Sequence, residues 1–190
     1  MKIVGVGCGP GMMTAEAARV IAGASLIYGS ARAITLARET ITPGCEVHEI
    51  ADYRSLRSLP DHTVVLSTGD PMLAGLGYLP GEVVPGISSL QVTFARLKVP
   101  LTKAVVISAH GKDHVTAVAT TREEIVRGRV VFLIADPAFS VDALAAALPP
   151  ETRLAVCEDL GYPAERIAVG TAAEPPVPRG DLFVVVAGEF

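Results

Sequence analysis

Two loops constrain this chain more than any other feature: Ser67-Thr68-Gly69-Asp70-Pro71 and, shortly after it, Pro85-Gly86-Ile87-Ser88-Ser89, each set directly behind a short β-branched run. A strand that ends in such a turn leaves backbone N–H and C=O groups open at the carboxyl edge of its sheet, where open α/β sheets take their ligands. Two such turns close together in sequence predict a single binding site. The 190 residues are 50% hydrophobic and 19% charged, enough apolar material to fill one large α/β domain or two small lobes.

The rest of the chain alternates strand with helix. Residues 3–6 read as a buried strand, and 14–22 as an Ala-rich helix with Thr14 at the N-cap and Glu16 in the first turn. Strands follow at 25–28, 46–49, 63–67 and 82–84, with helices at 31–39 and 88–97. Proline cannot continue a helix and disfavours helix in the residue before it, so Val99-Pro100-Leu101-Thr102 marks a boundary between lobes at 1–98 and 104–190. The second lobe reads as a strand at 104–108, a helix near 121–127, a strand at 130–135 and a helix at 140–147. Strands near 153–157, 166–169 and 182–187 close it, joined by turns alone, which predicts antiparallel pairing. The expected fold class is α/β with two lobes: a mostly parallel first sheet with helices on both faces, then a mixed second sheet.

Several function classes are disfavoured. A net charge of −4 with no Lys/Arg cluster gives no footprint for nucleic acid. Cys8, Cys45 and Cys157 are odd in number and far apart with no CxxC, so neither a disulfide framework nor a protein metal site is expected. The amino terminus enters a strand at once, and no apolar run approaches the roughly 20 residues of a membrane span. A soluble cytoplasmic protein without a membrane partner is the expectation.

Gly5-Val6-Gly7-Cys8-Gly9-Pro10-Gly11 is a glycine-rich strand-to-helix turn, but it lacks the spacing of a dinucleotide fingerprint and the Gly-Lys-Ser/Thr of a phosphate loop. It serves a tight turn or a close backbone approach to a ligand. Asp70 suits a turn cap or a ligand-shaping role, and Ser88 and Ser89 suit a helix cap or ligand contacts. His110, in Ser108-Ala109-His110-Gly111, carries the side chain best tuned for proton transfer near neutral pH. His48, His62 and His114 read as surface residues, and Glu158-Asp159 as a pair that orients a ligand or solvates a turn. No GxSxG nucleophile signature occurs.

Taken in order, Val4-Gly5-Val6-Gly7, Thr68-Gly69-Asp70-Pro71, Pro85-Gly86-Ile87-Ser88-Ser89 and the late Gly170 before a Val-rich final strand resemble the tetrapyrrole methylase family over nearly the whole chain. Gly29-Ser30-Ala31-Arg32, Leu90-Gln91 with Ala95-Arg96-Leu97, and Ser108-Ala109-His110-Gly111 resemble the branch that methylates carbon 5 of the corrin ring. The resemblance implies two lobes with S-adenosylmethionine in the cleft between them, a homodimer, and a corrin substrate that brings its own cobalt. It implies cofactor contacts at Pro10, Thr68, Gly69, Asp70, Leu73, Ser88 and Ser89, and in the second lobe at Ile134 and Gly170. Arg32 and Arg96, with Arg54, are candidates for the corrin carboxylates, because guanidinium binds carboxylate bidentately. His110 is the candidate for any catalytic proton transfer.

Two departures from the family pattern stand out. Cys8 interrupts the first loop, where the family reads Gly-Pro-Gly-acidic, and Leu133-Ile134-Ala135 stands in place of Tyr-Met-Gly. The chain ends at Phe190 without the carbon-15 methylating and decarboxylating domain fused in some relatives, so a separate enzyme for that step is expected. Competing readings are a methylase of uroporphyrinogen III or of another corrin carbon, a diphthine synthase, and a non-catalytic S-adenosylmethionine-binding regulatory module.

Overall fold

The β-branched runs of the amino-terminal half all become strands of one parallel sheet: β1 (Lys2–Gly5), β2 (Leu26–Gly29), β3 (Glu46–Glu49), β4 (Val64–Ser67) and β5 (Glu82–Val84). Their order is β3-β2-β4-β1-β5. The computed structural model describes residues 1–111 and 113–190, and the chain divides into two units, Met1–Ser89 and Leu90–Phe190. Parallel strands need crossover connections, and α1 (Ala15–Ala22), α2 (Ala31–Ala37) and the one-turn α3 (Pro71–Ala74) serve here. Strands β1 and β4 are covered on both faces, which is why they read as unbroken apolar runs rather than alternating ones.

On one face of this sheet Ala17, Ile21, Ala33 and Ala37 of the two longer helices pack on Val4, Ile27 and Leu66. On the other, Ile3 and Val65 are covered by Leu56 from a 3₁₀ turn (Ser55–Ser58) and by Leu76 and Leu79, in the segment after α3. The expected helices on both faces are therefore unequal. Thr14 and Ser30 cap α1 and α2, their hydroxyls accepting the N–H of Ala17 (3.1 Å) and Ala33 (3.3 Å).

The second unit holds α4 (Ser89–Leu97), β6 (Ala104–Ser108), α5 (His114–Val126), β7 (Val130–Ile134), α6 (Val141–Ala146), β8 (Arg153–Glu158), β9 (Arg166–Thr171) and β10 (Phe183–Gly188). The sheet order is β6-β7-β10-β8-β9; β6 and β7 run parallel, and every other pairing is antiparallel, as the helix-free spacing of the last strands predicts. Helix α4 groups with this unit, its Phe94 ring edge-on to Phe132 at 6.3 Å, so the division falls ahead of the Val99-Pro100 interruption. Helix α5 starts well before the expected residue 121. Asp113 caps it by accepting the N–H of Val115 (3.0 Å) and Thr116 (3.2 Å), but its β-branched Val115, Thr116, Val118, Thr120 and Thr121 weaken the helix signal.

Glu158 corrects the reading of Glu158-Asp159 as a solvated turn. It is 2% exposed, and its carboxylate accepts the N–H of Arg179 (2.5 Å) and Gly180 (2.8 Å) and pairs with the Arg166 guanidinium, which stands opposite it in the β8–β9 register. Burial pushes the carboxyl up, but the two N–H donors and Arg166 outweigh it and hold the group below the usual glutamate range. A depressed folded pKa means the stabilisation is present above the unfolded value, and is lost as pH falls through the folded one. Glu158→Gln keeps an oxygen for the two N–H groups but turns its amide nitrogen toward the Arg166 guanidinium, and is expected to cost about 2–3 kcal/mol at neutral pH from the lost charge-assisted pair. Urea unfolding of both proteins at neutral and at strongly acidic pH checks this. The cost should shrink in acid, and an equal cost at both pH values contradicts the assignment.

Candidate active site

The carboxyl ends of β4, β1 and β5 are adjacent in the first sheet, so the three loops that follow them meet at one edge. Backbone bonds sew these loops together. Gly7 and Gly69 exchange N–H···O=C bonds (2.8 and 3.3 Å), and the Cys8 N–H donates to the Ile87 carbonyl (3.0 Å). The Thr14 hydroxyl donates to the Pro85 carbonyl (3.4 Å), which ties the start of α1 to the same edge. Approach is so close that a Cβ on Gly86 would lie 2.1 Å from the Gly69 carbonyl oxygen, and one on Gly5 would lie 2.5 Å from the Gly86 nitrogen. Gly69 also takes φ +70°, which an L side chain rarely adopts.

Asp70 locks the arrangement. One carboxylate oxygen accepts the Met72 N–H (2.8 Å) and caps α3; the other reaches across to the Gly86 N–H (3.1 Å). Of its two sequence readings, the cap is directly visible, and the same carboxylate also clamps the next loop. Around it Ser88 is buried, while Thr68, Leu73 and Ser89 are partly exposed. Pro10 is exposed in the turn of the first loop, and Arg32 is exposed in the first turn of α2, just beyond the carboxyl end of β2. Arg54 is exposed past the end of β3, its backbone N–H bonded to Asp52 (2.9 Å).

In the second unit, Ile134 is the last residue of β7, and its carbonyl accepts the Ala109 N–H (2.9 Å), so the ends of the parallel pair β6 and β7 are joined. His110 follows at once and is exposed. Asp136 holds this loop by accepting the Gly111 N–H (2.6 Å), the Ala138 N–H (2.9 Å) and a bond with His114 Nε2 (3.2 Å). The Gly111 N–H, with His114 and Ala138 beside it, keeps the Asp136 carboxyl below its usual range against the effect of burial. His114 is thus no simple surface residue: its ring also stands edge-on to Phe139 at 5.4 Å.

Gly170 lies on β9, where a Cβ would come 2.4 Å from the Glu174 carbonyl oxygen, so the turn after β9 already demands glycine there. Arg96 donates through Nε to Glu165 (2.7 Å), whose other oxygen accepts the Gly161 N–H (2.8 Å). That guanidinium orders the loop after β8 while staying 48% exposed. Burial pushes the Cys157 thiol up to about 12, which removes it as a nucleophile near neutral pH.

Among the described residues no group of three or more His, Cys, Asp or Glu side chains is placed to hold a metal ion, and no helix is long and apolar enough to cross a membrane. Sequence reasoning missed Asp136 and Glu165. Asp136 had a visible signal, since Ile134-Ala135-Asp136-Pro137 repeats the strand-end Asp-Pro of Thr68-Gly69-Asp70-Pro71.

The family model for tetrapyrrole (corrin/porphyrin) methylases matches residues 2–176 of this chain. A probable cobalt-precorrin-7 C(5)-methyltransferase of Methanocaldococcus jannaschii is 27% identical over 93% of this chain and 92% of its own length. A decarboxylating precorrin-6Y C(5,15)-methyltransferase of a Sinorhizobium species is 29% identical over 91% of this chain, which spans only 45% of that longer protein. Among solved structures, a precorrin-6Y methylase from Archaeoglobus fulgidus superposes with a TM-score of 0.80 at 28% identity, covering 100% of this chain and 98% of that one.

Proposed function

Because the chain belongs to the tetrapyrrole (corrin/porphyrin) methylase family, we propose that it is an S-adenosylmethionine-dependent methyltransferase of cobalamin biosynthesis that methylates carbon 5 of cobalt-precorrin-6B to give cobalt-precorrin-7. The observation that carries this reading is the sewn edge of β4, β1 and β5. Glycine at positions 5 and 86 lets the three loops close on one another, which brings Thr68, Leu73 and Ser89, all partly exposed, together with loop backbone groups at one sheet edge. Hydroxyls, an apolar side chain and backbone groups are a donor set that fits an amino acid joined to a nucleoside. Bound in such a site, S-adenosylmethionine supplies a methyl group on a positively charged sulfur.

What the chain's own residues contribute is alignment. Thr68, Gly69, Leu73, Ser88 and Ser89 are assigned to the cofactor, with Pro10 in the first loop; Asp70 holds the loops that carry them. In the second unit, Ile134 and Gly170 are assigned to the adenine. Near-attack alignment of two reactants is worth roughly 7–11 kcal/mol in favourable cases, so positioning outweighs acid or base strength in this transfer. Arg32 is assigned to a peripheral carboxylate of the corrin, and Arg96 to a second one, shared with Glu165. His110, exposed at the end of β6, is assigned the removal of a proton from the ring. The reading includes a homodimer, the cytoplasm as the compartment, and a separate enzyme for methylation and decarboxylation at carbon 15.

Calorimetric titration with S-adenosylhomocysteine, with NAD and ATP as controls, tests the cofactor reading. Selective binding at one site per chain is the expected result, and its absence overturns the reading. A turnover assay on cobalt-precorrin-6B follows, in which wild type adds one methyl and His110→Ala turns over more slowly with cofactor affinity unchanged. Binding without methyl transfer to any tetrapyrrole is the signature of a non-catalytic module instead.

A further inference from the structure

We propose that Asp136 is a positioning residue that sets His110 through the Gly111 turn, with His114 as its second anchor; this rests on the reading of His110 given above. The geometry repeats the clamp in the first unit. There, Asp70 follows strand β4, precedes a proline, accepts the N–H two residues on and uses its other oxygen on a glycine N–H of another strand-end loop, Gly86 after β5, reaching past the intervening β1. Asp136 follows β7, precedes Pro137, accepts the N–H two residues on at Ala138 and uses its other oxygen on the Gly111 N–H of the neighbouring β6 loop. Two clamps of one design, one on each sheet, mark two loops whose positions are controlled. The first of these carries cofactor contacts in the proposed reading, and the second carries His110.

Asp136 also bonds His114 Nε2, and His114 sits in the first turn of α5, against Phe139. The turn that presents His110 is therefore anchored on its far side to a helix, and on its near side to Ile134 through the Ala109 N–H. Gly111 takes φ +61°, a conformation few side chains share, and its N–H is bonded at 2.6 Å. With that acceptor removed the turn loses a short bond that fixes the residue next to His110, while the sheet beneath keeps every strand pairing.

A double-mutant cycle tests this. Asp136→Ala is expected to slow methyl transfer by about 10²-fold, the cost of a misplacement near 1 Å, with S-adenosylhomocysteine affinity unchanged. In a His110→Ala background the same substitution should cost nothing further, because a residue acting through His110 has no effect once His110 is gone. Asp136→Asn, which keeps one acceptor oxygen, should fall between the two and serves where the alanine variant folds poorly. His114→Gln, which keeps a donor, should retain more activity than His114→Ala. Equal slowing by Asp136→Ala in both backgrounds, or none in either, overturns the proposal and leaves His110 standing. A wild-type rate for His110→Ala removes the catalytic reading of His110, and this proposal with it, while cofactor binding stands.

Discussion

Gly86→Ala is expected to abolish S-adenosylhomocysteine binding and to destabilise the first unit by ~3 kcal/mol, the upper end for overpacking. The new methyl group would lie 2.1 Å from the Gly69 carbonyl oxygen and 2.8 Å from the Gly5 carbonyl carbon, both backbone atoms that no rotamer change can move. Relief requires the β1, β4 and β5 loops to separate, which breaks the Gly7–Gly69 and Cys8–Ile87 bonds and withdraws the Gly86 N–H from Asp70. Gly11→Ala is the control. It lies in the first loop at φ +73° with nothing within 4 Å of a Cβ, so it should cost about 1–2 kcal/mol of backbone strain and leave binding near wild type. Urea unfolding and calorimetry on both variants check the pair; wild-type affinity in Gly86→Ala means that the close approach has no part in the site.

What the sequence disclosed and what it hid follow one physical line. Strands β1 and β4 are sandwiched on both faces and so announce themselves as apolar runs, and Thr14 announces the helix it caps through a bond only three residues long. The two loops at the site were legible for the same reason: Gly69, Asp70 and Gly86 answer to constraints of local backbone geometry, which turn residues encode. Helix α5 was half hidden because β-branched residues speak against helix locally while packing permits it. The partners of charged side chains were hidden altogether. Arg96 meets Glu165 across 69 residues of sequence, and Asp136 meets Gly111 across 25, separations at which no periodicity or spacing rule operates. Glu158 looked like a turn residue because its acceptor role depends on Arg179 and Gly180, which the fold alone brings to it.

Asp70 separates the two jobs of one carboxylate, and substitution can take them apart. Asp70→Ala removes both the α3 cap and the bridge to Gly86, and is expected to weaken S-adenosylhomocysteine binding more than tenfold, with a stability cost of about 1 kcal/mol from the lost cap. Asp70→Asn keeps one acceptor oxygen, enough for the Met72 N–H, but turns an amide nitrogen toward the Gly86 N–H, so that two donors face each other. Stability should then fall by about 1 kcal/mol, from the Gly86 N–H left without an acceptor while the cap is kept, and affinity should fall toward that of the alanine variant. That pattern assigns the binding effect to the bridge between loops rather than to the cap or to the residue's charge alone. Wild-type affinity in Asp70→Asn with a loss in Asp70→Ala assigns it to the cap, and wild-type affinity in both removes Asp70 from the cofactor site. The bridge is the stronger expectation because Gly86 cannot shift on its own: its Cα is held between Gly5 and Gly69, so any slack in the Asp70 bond is transmitted to all three strand ends at once.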